Sequence, residues 1–76
     1  MTGALILITA DVGKMKEVEQ KISEKEEIEE VEMLTGPYDL MAIARTEEMT
    51  DITQALIDKI REIDGVQNTT TNIFIE

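Results

Sequence analysis

The first apolar run, Ala4-Leu5-Ile6-Leu7-Ile8, shows no polar alternation. A short run of that kind, bounded by polar residues, predicts a strand covered on both faces. Asp11-Val12-Gly13 breaks it. From Lys14 to about Glu26 the spacing changes to threes and fours. Met15, Val18 and Ile22, with Val12 just upstream, make one helical stripe among Lys, Glu and Gln. Between Ile28 and Thr35 the period falls to two. Val31 and Met33 point one way and Glu30 and Glu32 the other, as in a half-buried strand.

Gly36-Pro37 then turns the chain. Proline sets φ, glycine tolerates positive φ, and so short a connection favours an antiparallel hairpin. Leu40 to Ala44 is a third strand, again apolar on both sides. Met49 to Ile63 reads as the second helix, its stripe made of Ile52, Leu56, Ile60 and Ile63 with Ala55 alongside. Thr50 stands where an N-cap belongs. Glu47, Glu48 and Asp51 near the start and Lys59 and Arg61 near the end suit the helix dipole. Gly65 marks the stop, and Val66 to Ile75 closes the chain as a fourth strand.

The order is β-α-β-β-α-β, over a single domain spanning residues 1–76. A faint repeat at an offset of 35 aligns Leu5-Ile6-Leu7-Ile8 with Leu40-Met41-Ala42-Ile43, and Ile28…Val31 with Ile63…Val66. Two split βαβ halves predict an α+β, ferredoxin-like sandwich: a four-stranded antiparallel sheet with two helices on one face. Helices on one side leave the other side of the sheet open, and an open side in a monomer should be polar. Here Leu5 and Leu7 oppose Ala4, Ile6 and Ile8, and the third and fourth strands repeat the pattern. An apolar patch of several hundred Å² marks an association surface, so a sheet-to-sheet homodimer is expected. The bland alternative is that Leu5 and Leu7 are scattered surface residues.

Composition narrows the chemistry. The chain has 76 residues, 17 acidic and 7 basic, for a formal charge of −10. No Lys/Arg cluster is present to meet a phosphate backbone, which argues against direct nucleic-acid binding. Cysteine and histidine are both absent, removing disulfides, the commonest metal ligand and the commonest general base. The longest apolar run is far too short for a bilayer, and no basic region followed by a long apolar stretch opens the chain. A soluble, cytoplasmic protein is expected, and the heavy use of Glu, Lys and Ile hints at a thermophilic source.

Few residues carry candidate chemistry. Thr35-Gly36-Pro37-Tyr38-Asp39 is blandly a hairpin turn. Functionally it gathers backbone N–H groups, a phenol and a carboxylate, which suit a small zwitterion. Thr69 and Thr71 are ordinary strand residues on one reading. On the other, their hydroxyls share one face and bond a polar ligand. The acidic stretch Glu24–Glu32 fits no Ca²⁺ loop and reads as solvated surface. No nucleophile motif or Gly-rich phosphate loop occurs, so neither an enzyme nor a cofactor or metal is expected.

The Gly36-x-Tyr38-Asp39 hairpin, the helix end Ile60-x-x-Ile63-x-Gly65-Val66 and the following Thr69-x-Thr71 with its apolar tail together resemble one family. It is the C-terminal effector (RAM) domain of the Lrp/AsnC, or feast/famine, transcription regulators, and the resemblance covers essentially the whole chain. It implies a non-enzymatic domain that dimerises through its sheets, assembles into rings that are often octamers, and binds amino acids or related metabolites between dimers. By position the ligand site would use Gly36, Tyr38 and Asp39 from the hairpin and Thr69 and Thr71 from the last strand. Asp58 would come from the second helix, where its bland reading is a solvent-facing carboxylate.

Two features depart from the family pattern. Full-length regulators carry an N-terminal helix-turn-helix that this sequence lacks. It therefore resembles stand-alone members, which regulate transcription indirectly or co-assemble with full-length relatives; Met1 directly before the first strand fits a natural start, with a domain trimmed from a longer protein as the alternative. Pro37 also removes one backbone N–H from the ligand loop.

Three rival readings remain. An adaptor would have assembly as its whole function. A small cofactor-free monooxygenase would need His or Trp, which are missing. An ACT-like amino-acid-binding domain would pair sheets edge to edge.

Overall fold

The run Ala4–Ile8 becomes the centre of β1 (Thr2–Ala10), an inner strand with a neighbour on each side. A computed structural model describes residues 2–48, 50 and 56–75. Along the chain β1 is followed by α1 (Met15–Ser23), β2 (Ile28–Met33), β3 (Leu40–Thr46), α2 (Ile57–Arg61) and β4 (Val66–Ile75). The sheet has the order β2-β3-β1-β4, and every neighbouring pair is antiparallel. This is the ferredoxin-like α+β arrangement expected from the periodicities.

Register sorts the strand residues onto two faces, since directly paired residues share a side. Ala4, Ile6 and Ile8 pair with Ala44, Ala42 and Leu40, and all six are fully buried. On this side α1 packs against β2 and β3 while α2 packs against β4. Val18 and Ile22 of α1, with Leu56, Ile57, Ile60 and Ile63 in and beside α2, complete the core. Alanine at positions 4, 42 and 44 leaves room beneath the helices for these larger side chains. Ile57 joins the buried set although it lay outside the stripe read from spacing.

Several expectations change. α1 ends at Ser23, not near Glu26. The Ser23 hydroxyl donates to the Gln20 carbonyl at 2.7 Å, and Lys25 N–H donates to Ile22 O at 3.0 Å. A tightened last turn thus takes up the free carbonyls, and Glu24, Glu26 and Glu27 sit poorly with the negative end of a helix. Val12 does not extend the buried stripe, being 100% exposed. Lys14 N–H donates to Asp11 O at 3.0 Å and Gly13 has φ +89, so Val12 occupies a turn before the helix begins. Thr50, expected as a cap, is itself helical. Met49, Asp51, Ile52 and Ala55 lie outside the described residues.

The internal repeat falls at an offset other than the 35 read from the sequence, because 35 sets the fully buried Ile6 against Met41 of the open side. The first residues of β1 and β3, Thr2 and Leu40, stand 38 apart, and the turns after the helices keep that spacing. Their hydrogen bonds from Glu24, Lys25 and Ile28 recur at Glu62, Ile63 and Val66, an offset of 38.

Candidate functional site

At the C-terminal end of β1 the β2–β3 hairpin, the β1–α1 turn and the α2–β4 turn come together. Leu34 N–H donates to Asp39 O at 2.8 Å and closes the hairpin loop. Gly36 has φ +124, a conformation side chains resist, so the turn needs glycine there. Pro37 is exposed and Tyr38 half-buried beside it. Asp39 ties the loop to β1 in two ways: its N–H donates to Ile8 O at 2.9 Å, and its Oδ2 accepts Ala10 N–H at 2.8 Å. Ala10 sits where the β1–β4 register shifts. One carboxylate oxygen proposed for a ligand therefore already holds the backbone.

Thr69 and Thr71 share a face, as their spacing requires. Register pairs them with Ile8 and Ile6, which places both half-buried hydroxyl residues on the side that carries the helices. Ile8 thus has Leu40, next to Asp39, on one flank and Thr69 on the other. A separation of two strands corresponds to about 10 Å. Asp58 lies exposed in the first turn of α2. The hairpin residues and Thr69 accordingly meet the same end of β1, Thr71 lies further along beside Ile6, and Asp58 is carried by α2. The described residues enclose no pocket, and no group of acidic side chains among them has the geometry to hold a metal ion.

The third part of this end is a polar clasp. Lys14 Nζ donates to Asp64 Oδ2 at 2.9 Å, with Glu17 at 3.9 Å. That bond, reinforced by the opposite charge, raises the Lys14 pKa above its ordinary value and lowers that of Asp64. Asp11 N–H donates to Gly65 O at 2.7 Å, and Gln67 Nε2 donates to Asp11 Oδ1 at 2.5 Å. Gly65 has φ +102, and a Cβ built on it would lie 2.8 Å from Lys14 Cβ. The start of α1 and the start of β4 are thereby fixed to each other.

Away from the helices the sheet is ruled into rows. Glu30, Ile43, Leu5 and Asn72 form one, and Glu32, Met41, Leu7 and Thr70 the next. Leu5, Leu7, Met41 and Ile43 are half-buried and make a four-residue apolar centre. A further row holds Arg45, Gly3 and Phe74. The Phe74 ring covers Gly3, and a Cβ built there would lie 2.6 Å from Phe74 Cζ. The Arg45 guanidinium stands 5.6 Å from the centre of that ring, a cation–π distance, and Arg45 Nε meets Glu29 Oε1 at 3.0 Å. Sequence reasoning missed this row, although a glycine inside a strand is itself a sign of close approach.

Comparison with known proteins supplies the last finding. A family model described as the Lrp/AsnC ligand binding domain matches residues 3–76. The HTH-type transcriptional regulator FL11 of Pyrococcus furiosus is 37% identical over 73 residues, which cover 96% of this chain and 48% of that protein. This chain spans about half, or less, of the curated relatives it matches. The crystal structure of hypothetical protein PHS023 from Pyrococcus horikoshii superposes with a TM-score of 0.92 at 34% identity, over 100% of this chain and 92% of that one. TTHA0845 from Thermus thermophilus gives 0.92 at 28% identity, over 100% and 95%.

Proposed function

The chain belongs to the Lrp/AsnC ligand-binding domain family, and on that basis we propose that it senses an amino acid or close analogue and converts binding into a change of assembly that regulates transcription indirectly. The family's domains are regulatory, not enzymatic. The observation that carries the reading is the open side of the sheet. Its centre of Leu5, Leu7, Met41 and Ile43 faces away from the helices. Four strands about 4.8 Å apart, of 9, 6, 7 and 10 residues at about 3.3 Å each, give a face of roughly 500 Å², somewhat below the ~800 Å² per partner of a standard interface. A second copy is the occupant in this reading, and dimers join into a ring of octamer type. A charge of −10 disfavours phosphate backbones, so operator contact is left to a basic partner such as a full-length regulator.

The ligand site in this reading is the β1 end. Gly36 supplies the loop geometry, Tyr38 a phenol, and Asp39 a carboxylate for an ammonium group. Thr69 and Thr71 offer hydroxyls, and Asp58 a contact from the helix or from a neighbouring copy. Pro37 takes away one N–H that the loop would otherwise offer. Such a ligand moves the assembly only by its difference in affinity between assembly states. A second reading, an adaptor with no ligand of its own, is favoured by the engagement of Asp39 Oδ2 with Ala10.

Thermal melts of the chain against the twenty amino acids at millimolar concentration separate the two. A ligand at a hundredfold excess over Kd stabilises by ~2.7 kcal/mol, a Tm rise on the order of 10 °C for a chain of this size. Light scattering on the same samples follows assembly size. If no amino acid moves either quantity, the sensing reading fails and the adaptor stands.

A further inference from the structure

The open face carries more than an apolar centre. Glu30 and Glu32 border that centre from the β2 edge, both exposed and neither in an ion pair among the described residues. Across the sheet the opposite border is Asn72 and Thr70, which bring no charge. Of the seven basic residues, Arg45 alone lies on a strand, and it is engaged by Glu29 and the Phe74 ring. The other six are carried by the helices and the turns flanking them. The open face is thus apolar in the middle, acidic along one margin and, among the described residues, without a spare cationic side chain to answer that acidity.

Two sheets packed face to face stand about 10 Å apart, with strands spaced about 4.8 Å. Whichever way the second copy is rotated over the first, its β2 margin comes within roughly 10–20 Å of the other β2 margin. The two acidic margins then lie within roughly 20 Å of each other across the interface, on one rim or on opposite rims. The Debye length is about 30 Å at 0.01 M salt and about 10 Å at 0.1 M, so their repulsion is felt in dilute salt and mostly screened above it.

We propose that pairing of two copies through the open sheet face is controlled by ionic strength, with Glu30 and Glu32 as the groups that oppose it until cations screen them. The proposal rests on the sheet-face pairing argued above. It makes the assembly responsive to the electrolyte as well as to any effector.

Sedimentation velocity of the whole chain from about 10 mM to about 300 mM NaCl tests this. The expected result is a dimer Kd that falls about tenfold or more across that range. The double variant E30Q/E32Q should pair tightly in dilute salt and lose most of the dependence. E26Q/E62Q makes the same charge change at exposed positions outside the sheet and should keep it. This comparison also separates screening from a general salting-out of apolar surface, which would leave both variants alike. A dimer whose Kd ignores salt, or two variants with equal slopes, overturns the electrostatic control and leaves the pairing intact. A chain that stays single at every salt concentration overturns the pairing and the control together.

Discussion

Asp39 Oδ2 accepts the backbone N–H of Ala10 at 2.8 Å, joining a hairpin to a strand end 29 residues away. The bond is part-buried, so removing the acceptor leaves a donor poorly hydrated. Asp39→Ala should cost about 1–3 kcal/mol in urea denaturation, the usual penalty for such a group. Asp39→Asn keeps an acceptor oxygen and should lose under about 1 kcal/mol. If Asp39 also meets a ligand ammonium group, the Asn variant will melt nearly as the parent does yet lose its response to amino acids.

Gly3 and Phe74 form a matched pair. Gly3→Ala forces the ring off its seat and with it the stacking on Arg45, at a cost of about 1–3 kcal/mol by analogy with other overpacked sites. In a Phe74→Ala background the same change at Gly3 should be almost free. A double-mutant cycle by chemical denaturation measures that coupling.

Two glycines with positive φ should behave differently. Gly36→Ala meets nothing within 4 Å, so only its φ of +124 resists the new side chain. Gly65→Ala suffers the same kind of strain at φ +102 and also runs into Lys14 Cβ at 2.8 Å and Val18 Cγ2 at 3.2 Å. Backbone strain alone costs about 1–3 kcal/mol. Urea melts should therefore rank Gly65→Ala as clearly the more damaging.

Neighbouring residues of β1 should separate folding from assembly. Leu7→Lys introduces a charge on the open face and should leave a folded chain by circular dichroism that no longer pairs in light scattering. Ile6→Lys places that charge in the fully buried core and should abolish cooperative folding. A Leu7→Lys protein that still pairs would move the interface elsewhere.

The Lys14–Asp64 bond makes a two-ended pH prediction. Asp64 titrates below its ordinary 3.8 in the folded chain, so its stabilising contribution is present above 3.8 and is lost as pH falls through the lowered value. Lys14 titrates above its ordinary 10.5, so its contribution holds below 10.5 and is lost as pH rises through the raised value. The stability difference between the parent and Asp64→Asn should be level between these limits and shrink beyond each. High salt should reduce it throughout, because both groups are at the surface.

Strand content was legible because burial imposes a simple period. β4 has the predicted bounds, Val66–Ile75, and Glu30 and Glu32 fall on the side opposite Val31 and Met33 as alternation required. Helix limits were harder, since α1 stops where the Ser23 and Lys25 hydrogen bonds favour a turn, and apolar spacing carries no record of them. The hairpin announced itself through Gly36-Pro37. The partner of Asp39 did not, because a bond to Ala10 depends on which strands become neighbours. Thr69 and Thr71 show the same limit: spacing puts them on one face, but only pairing with Ile8 and Ile6 says which.

Tyr38 sits in the hairpin loop, half-buried, and the chain has no other tyrosine and no tryptophan. Near-ultraviolet absorption and intrinsic emission above the phenylalanine range therefore come from that one loop. The molecule carries a built-in optical reporter at the place where an effector is expected. Quenching or enhancement on adding a colourless amino acid could be followed without any label, and its time course would tell whether the loop responds before or after the particle changes size.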